Sequence, residues 1–231
     1  MHPRQATMHL LFDLDGTLTD SRPGIITSIQ YALAENGLNV PPAESLLWCI
    51  GPPILESFKK LVGAQADLFE PAVRTYRERY GSIGLFENSV YPDIENVLIE
   101  LREFGHTLHV ATSKATVYAQ PIIDHFGLNK YFATVNGSEL DGTRANKAEL
   151  IAHLLEREEI APQDAVMIGD REHDMIGAKA NGVTAIGVLW GYGTEEEQKE
   201  TGAFTCVSSP LDLEGIISGI TNKSSFEAVP N

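Results

Sequence analysis

His9-Leu10-Leu11-Phe12-Asp13-Leu14-Asp15-Gly16-Thr17-Leu18-Thr19-Asp20 is the stretch from which the fold of this chain can be read. Residues 9–12 form a short apolar run, cut off at once by a turn-forming sequence. That is the pattern of a buried strand ending in an acidic loop. Three later runs look alike, at 108–111, 165–168 and 183–188, and each lies next to a helical pattern. One helix opens at Pro92, runs to about Phe104 and stops at Gly105. Another opens near Asn146 and sets Leu150, Ile151, Leu154 and Leu155 on one face. Strands alternating with helices of this length imply βαβ units, so the fold class is α/β with a parallel sheet.

Residues 19–90 read differently. Ser21 stands where a helix cap belongs, Pro23 sits in the first turn, and Ile25, Ile29 and Leu33 recur every four residues before Gly37. Further helices are expected near 53–62 and 66–80, separated by Pro41-Pro42 and Gly51-Pro52-Pro53, and no strand is expected. An all-helical block is therefore inserted directly after the first strand and its acidic loop, the place for a lid. Residues 222–231 read as a frayed tail.

Composition narrows the function classes. Of 231 residues, 43% are apolar and 21% charged, which fits a soluble globular protein and not a disordered one. Lys and Arg number 17 against 32 Asp and Glu, a net charge of −15 that argues against a basic nucleic-acid-binding face. Cys49 and Cys206 form no CxxC pair, which suits a reducing cytosol. No run of 18 apolar residues and no signal-peptide pattern occurs, so a cytoplasmic protein without membrane association is expected.

Ligands of open α/β sheets bind beyond the C-terminal ends of the strands. Asp13 and Asp15 follow the first strand, Thr112, Ser113 and Lys114 the second, and Gly169-Asp170 with Asp174 the third, while Lys147 opens a helix. Oxygen ligands, hydroxyls and an ammonium thus converge on one crevice. A calcium loop of the D-x-D-x-D-G type fails, because Thr17 and Leu18 occupy its fifth and sixth positions. Two carboxylates beside a glycine, straight after an apolar strand, fit a metal-assisted site better.

Asp13-Leu14-Asp15-Gly16-Thr17, the Thr112 of Ala-Thr-Ser-Lys, Lys147, and Asp170 with Asp174 in Gly-Asp-Arg-Glu-His-Asp resemble, in this order, the four motifs of the haloacid dehalogenase superfamily. The resemblance covers about residues 8–220. It is nearest to the phosphoglycolate-phosphatase-like branch, which includes proteins named phosphoglycolate phosphatase or 5′-nucleotidase. It implies a Rossmann-like core over 1–18 and 90–231 and a helical cap over 19–89. It also implies hydrolysis of a small phosphorylated metabolite through an aspartyl phosphate, by a monomer or homodimer. By the same resemblance Asp13 is the nucleophile and Asp15 the acid and base. Thr112 holds a phosphoryl oxygen and Lys147 neutralises charge. Asp13, the carbonyl of Asp15 and Asp170 hold Mg²⁺, with Asp174 as ligand or partner of the ligands. Sugar phosphomutases share this chemistry and are the alternative, as is a non-catalytic binder of phosphate esters.

Elementary electrostatics asks for the same cast. Two like charges ~4 Å apart repel by about 4 kcal/mol even at an effective dielectric of ~20, so a carboxylate meets a phosphate dianion only where cations offset this. Mg²⁺ takes hard oxygen ligands, Lys147 adds a charge, and strand-end amides near Leu14 and the N-terminus of the helix that follows Thr112 add dipoles, with Leu14 and Gly16 expected as phosphate-binding positions. Ser113 competes with Thr112 for the phosphoryl oxygen. Lys114 competes with Lys147, which motif order favours. His173 is expected to pack or face solvent, the strand histidines His106 and His109 show no ligand role, and Trp48 and Trp190 are expected in the core. Arg22, Lys59, Arg74 and Arg77 are candidates for an anionic substrate tail, and Gly51-Pro52-Pro53 for substrate contact.

Overall fold

The computed structural model describes residues 7–227. Its centre is β1 (His9–Phe12), paired in parallel with β4 (Thr107–Ala115) on one side and β6 (Ala165–Gly169) on the other. Adding β5 (Phe132–Ser138), β7 (Thr184–Val188) and β8 (Thr205–Val207) completes a six-stranded parallel sheet in the order β5-β4-β1-β6-β7-β8. Leu10, Leu11 and Phe12 are all fully buried, since both faces of such a sheet are covered by helices. Leu10 and Phe12 enter the larger core, while Leu11 faces a second one built from Leu150, Ile151 and Leu154 of α6 (Lys147–Arg157), with Met167 and Met175.

The sheet confirms the four expected strands and adds β5 and β8 at its edges. The second expected strand is longer than its apolar run, so Thr112, Ser113 and Lys114 lie within β4. The helix opened by Pro92 is α4 (Ile94–Glu103), and Asn146 caps α6, accepting from the amides of Ala148 and Glu149. The core is completed by α5 (Thr116–His125), α7 (Glu172–Ala180), α8 (Glu195–Thr201) and α9 (Leu213–Glu227). A helix through Glu227 replaces most of the expected frayed tail, and residues 228–231 lie outside the described residues.

Between β1 and α4 the chain is helical, as expected, with α1 (Arg22–Glu35), α2 (Ile54–Val62) and α3 (Phe69–Arg79). Two strands were not expected there. Thr19–Asp20 (β2) and Ser89–Val90 (β3) form a two-residue antiparallel ladder where the chain leaves the sheet and returns. Ser21 caps α1 by position only, for its buried hydroxyl has no partner. A wider π-helical turn, Tyr80–Gly84, follows α3 and closes with the Leu85 amide donating to the Tyr80 carbonyl at 2.9 Å.

Toward the other end of the sheet, β1 and β4 hold a histidine pair. His9 Nδ1 and His109 Nε2 are 3.1 Å apart, and His109 Nδ1 is 2.8 Å from Thr134 Oγ1. His106 Nδ1 accepts the Met8 amide at 3.1 Å. Burial pushes His109 down to about 4.

Candidate active site

Register builds the site. Phe12 lies level with Val110 on β4 and Ile168 on β6, so the residues just beyond each come together at one edge of the sheet. The Asp13 amide extends the ladder by donating to the Ile168 carbonyl at 2.9 Å. One carboxylate oxygen from each of Asp13, Asp170 and Asp174 then falls within 4.8 Å of the others, all three residues being buried. The Lys147 ammonium reaches in from the start of α6. It lies 2.9 Å from Asp13 Oδ1 and 2.7 Å from Asp174 Oδ1, and donates to the Ala111 carbonyl at 2.9 Å.

Each carboxylate is braced. The Tyr192 amide donates to Asp170 Oδ2 at 2.8 Å and the Thr17 hydroxyl to Oδ1 at 3.3 Å. Asp174 sits in the first turn of α7 and accepts the Arg171 amide at 3.1 Å, a favourable place for a carboxylate. Gly16 has φ +86°, and a Cβ there would lie 2.2 Å from Asp170 Oδ2. Gly169 is tight for the same kind of reason, since a Cβ there would lie 2.3 Å from the Asp174 carboxylate.

The charge balance is incomplete. Burial, reinforced by the charges on Asp13 and Asp174, pushes the Asp170 carboxyl well above its ordinary value. Burial also lifts Asp174 to about 6, against the pull of Lys147. Burial alone would lower Lys147, but Asp13 and Asp174 outweigh it and hold the ammonium above its ordinary value. Three buried carboxylates against one ammonium leave room for a further cation, and the donors are all hard oxygens, which is the chemistry Mg²⁺ takes. The residues present fit that ion.

Asp15 turns away from this cluster. Its Oδ2 pairs with Lys114 Nζ at 2.9 Å, while Oδ1 is buried without a partner. Its carboxylate is not part of the acidic cluster that Asp13, Asp170 and Asp174 form. Lys114 also donates to the Tyr80 hydroxyl of the helical segment. Asp15 and Lys114 line a cleft between that segment and the sheet, with Tyr76, Arg77, Ser113, Tyr118 and the turn Gly51-Pro52-Pro53 also in its wall. Two more cations tie the segment down, Arg77 donating to the Leu140 carbonyl and Arg171 to the Ile50 carbonyl.

Residues 10–188 match the model of a family described as haloacid dehalogenase-like hydrolase. The chain belongs to that family. A 5′-nucleotidase of Pseudomonas aeruginosa is 49% identical over 189 residues, which cover 82% of this chain and 86% of that protein. Tyrosine-protein kinase PtkA of Mycobacterium tuberculosis is 40% identical over 192 residues, covering 83% of this chain and 65% of that protein. The crystal structure of a predicted phosphatase from Clostridium acetobutylicum aligns with a TM-score of 0.87 at 42% identity, covering 91% of this chain and 98% of that one. Among the described residues no helix is long and apolar enough to cross a membrane.

In this hydrolase Asp13, Asp170, Asp174 and Lys147 meet, whereas several other expectations change. The Gly16 amide donates to the Thr19 carbonyl at 2.8 Å, so it is not free for a phosphate, and the residue matters for its close packing on Asp170. Leu14 is fully buried, and its carbonyl accepts the amides of Thr17, Leu18 and Thr19. Thr112 Oγ1 accepts the Lys114 amide at 3.3 Å and keeps its own hydrogen to donate, while Ser113 lines the cleft. Lys114 is no solvated lysine, its side chain being 6% exposed. Of the four basic candidates in the helical segment only Arg77 lines the cleft; Lys59 and Arg74 are exposed, and Arg22 pairs with Asp20. Trp48 is partly exposed under Lys60, and Trp190 braces the acidic loop through Nε1 to the Thr17 carbonyl at 3.0 Å. Tyr192 and Arg171 went unnoticed in the sequence, although Arg171 stands directly after Asp170 in the Gly-Asp-Arg-Glu-His-Asp motif.

Proposed function

We propose that this hydrolase is a Mg²⁺-dependent, cytoplasmic phosphatase of small phosphate monoesters, of the phosphoglycolate or 5′-nucleotide type, acting through a phosphoryl group carried on Asp13. The observation that supports this most is the division of labour between two carboxylates two residues apart. Asp13 sits in the buried cluster beside Lys147, and Asp15 opens into the cleft. A nucleophile and a proton carrier so placed serve a two-step displacement at phosphorus.

In the first step an Asp13 carboxylate oxygen bonds to phosphorus while the ester P–O bond breaks, and Asp15 gives its proton to the departing alkoxide. In the second, Asp15 takes a proton from water as the water oxygen bonds to phosphorus. The P–O bond to Asp13 then breaks, releasing inorganic phosphate and restoring the carboxylate. Lys147, 2.9 Å from Asp13, fixes that carboxylate and offsets its charge, and Thr112 donates its hydroxyl hydrogen to a phosphoryl oxygen. Asp13, Asp170, Asp174 and the Asp15 carbonyl would hold Mg²⁺, whose positive charge would let a phosphate dianion approach these carboxylates.

Segment 19–89 acts as a lid on a core of 1–18 and 90–231, hinged at Leu18-Thr19 and Ser89-Tyr91, where the β2–β3 ladder sets the outgoing and returning chain side by side. Closure excludes water and strengthens each charge interaction inside. The Pseudomonas aeruginosa relative supports the nucleotide end of the substrate range.

Release of inorganic phosphate from phosphoglycolate and from 5′-nucleoside monophosphates, with Mg²⁺, tests this. Asp13→Asn is expected to abolish release, and Asp15→Asn to slow it by roughly 10² to 10⁴. Near-normal turnover of p-nitrophenyl phosphate by Asp13→Asn would overturn the covalent route. Release from none of the esters by the wild type would overturn the phosphatase.

A further inference from the structure

Asp15 has to present one particular oxygen to the cleft, and the chain supplies a brace for it from two directions. The Lys114 ammonium, on β4, holds Oδ2 at 2.9 Å. Oδ1 is thereby left as the oxygen without a partner, buried, in a residue that lines the cleft. A buried carboxylate oxygen without a partner is costly, so it is held there by its surroundings and not by its own preference.

Lys114 in turn is steadied by the helical segment. Its ammonium donates to the Tyr80 hydroxyl. The Tyr80 ring is a fixed point. It stacks on Tyr76 with centroids 5.3 Å apart and meets the edge of Tyr118, on α5, at 5.5 Å. Phe58 extends the same column beyond Tyr76 at 5.4 Å. Gly84, closing the wide turn, leaves room for the ring, since a Cβ there would lie 2.7 Å from both Tyr80 Cδ2 and Ser28 Oγ. The aromatic column thus runs from the interior of the segment to the sheet and ends at the lysine beside Asp15.

We infer that Lys114 and Tyr80 are positioning residues that clamp one oxygen of Asp15, so that the acid–base group is correctly aimed only while the helical segment is docked. This deepens the proposed phosphatase and rests on Asp15 being its acid and base. Lys114 acts through Asp15, and Tyr80 acts through Lys114.

Phenyl phosphate and p-nitrophenyl phosphate separate positioning from binding. Their rings fill the same space, but phenoxide needs a proton to leave far more than p-nitrophenoxide does. Lys114→Met is expected to lower kcat on phenyl phosphate by about 10- to 100-fold, a share of what general acid help supplies, and to lower it less than about threefold on the nitro ester. Tyr80→Phe keeps the ring and its stacking. It is expected to shift the ratio of the two rates the same way, by roughly three- to tenfold, the worth of one hydrogen bond. In the Lys114→Met background it should add nothing.

Equal losses on the two esters, or losses confined to KM, would make Lys114 a substrate-binding cation and overturn the brace. Asp15→Asn is the control that separates the two readings. If it shows the phenyl-selective loss and neither brace variant does, the brace alone falls. If Asp15→Asn lacks that selectivity, its assignment as the acid falls, and the brace with it.

Discussion

Replacing Lys147 by Met puts a value on the buried charge cluster. The methionine keeps the stem against which Gly177 packs, and removes only the ammonium that lies 2.9 Å from Asp13 and 2.7 Å from Asp174. Three buried carboxylates then face one another without a compensating charge. Removing one partner of a buried ion pair costs about 3–5 kcal/mol, and here one ammonium serves two carboxylates, so the upper part of that range is expected. For a chain of this size, each kcal/mol lowers the melting temperature by about 2–4 °C, so a cost of about 4–5 kcal/mol puts the loss at roughly 8–20 °C. Thermal unfolding followed by circular dichroism at pH 8, in excess chelator, reads this directly. Adding Mg²⁺ is the second half of the test. A cation bound only by the folded chain stabilises it by about 2.7 kcal/mol when present at a hundred times its Kd. Because the variant lacks the ammonium that shares the cluster, its gain on adding Mg²⁺ should exceed that of the wild type. A variant melting within about 2 °C of the wild type in chelator would refute the charge argument. So would an equal Mg²⁺ gain in both proteins.

Other parts of the structure make separate predictions. Gly16→Ala places a Cβ 2.2 Å from Asp170 Oδ2 at a φ of +86°. It is expected to cost about 1–3 kcal/mol in backbone strain and to weaken Mg²⁺ binding, measured by calorimetric titration; unchanged affinity would remove Gly16 from the argument. His109, pushed down to about 4 from 6.5 by burial, binds a proton more weakly folded than unfolded. Its contribution is therefore intact above pH 6.5 and is lost as the pH falls toward 4, by about 3 kcal/mol over the window. His109→Gln should flatten that part of the stability curve relative to wild type, as read by urea unfolding at pH 7.5 and 4.5, and identical pH slopes in both would refute the assignment.

The parts of the fold legible in the sequence were those where one residue pattern settles one element. Leu10, Leu11 and Phe12 read as a strand covered on both faces because all three are apolar, and Leu150, Ile151, Leu154 and Leu155 read as one helix face. The edge strands escaped. β5 mixes exposed Ala133 with buried Asn136, and β8 is only three residues long, so neither carries a run that stands out. Asp13, Asp170, Asp174 and Lys147 were legible because each stands at the end of a readable element, and parallel register brings those ends level. Lys114 was read only as a rival to Lys147 because its partners come from elsewhere. Asp15 is on another strand's loop, and Tyr80 lies 34 residues upstream in the helical segment. The register of β4 against β5 is also irregular between Ala111 and Ala115, so simple strand alternation gives no direction for position 114. The Gly16 amide was misjudged for a related reason, since its bond to Thr19 exists only once the loop has closed.

The two-residue ladder between Thr19–Asp20 and Ser89–Val90 brings the outgoing and returning chain side by side. Paired strands stand about 4.8 Å apart, so the whole helical segment is attached as if it were a long hairpin loop. A loop that leaves and returns at neighbouring positions does not interrupt the register of β1 against β4 and β6, on which the carboxylate cluster depends. A different insert, of any length whose ends meet at that spacing, would find the same nucleophile already in place.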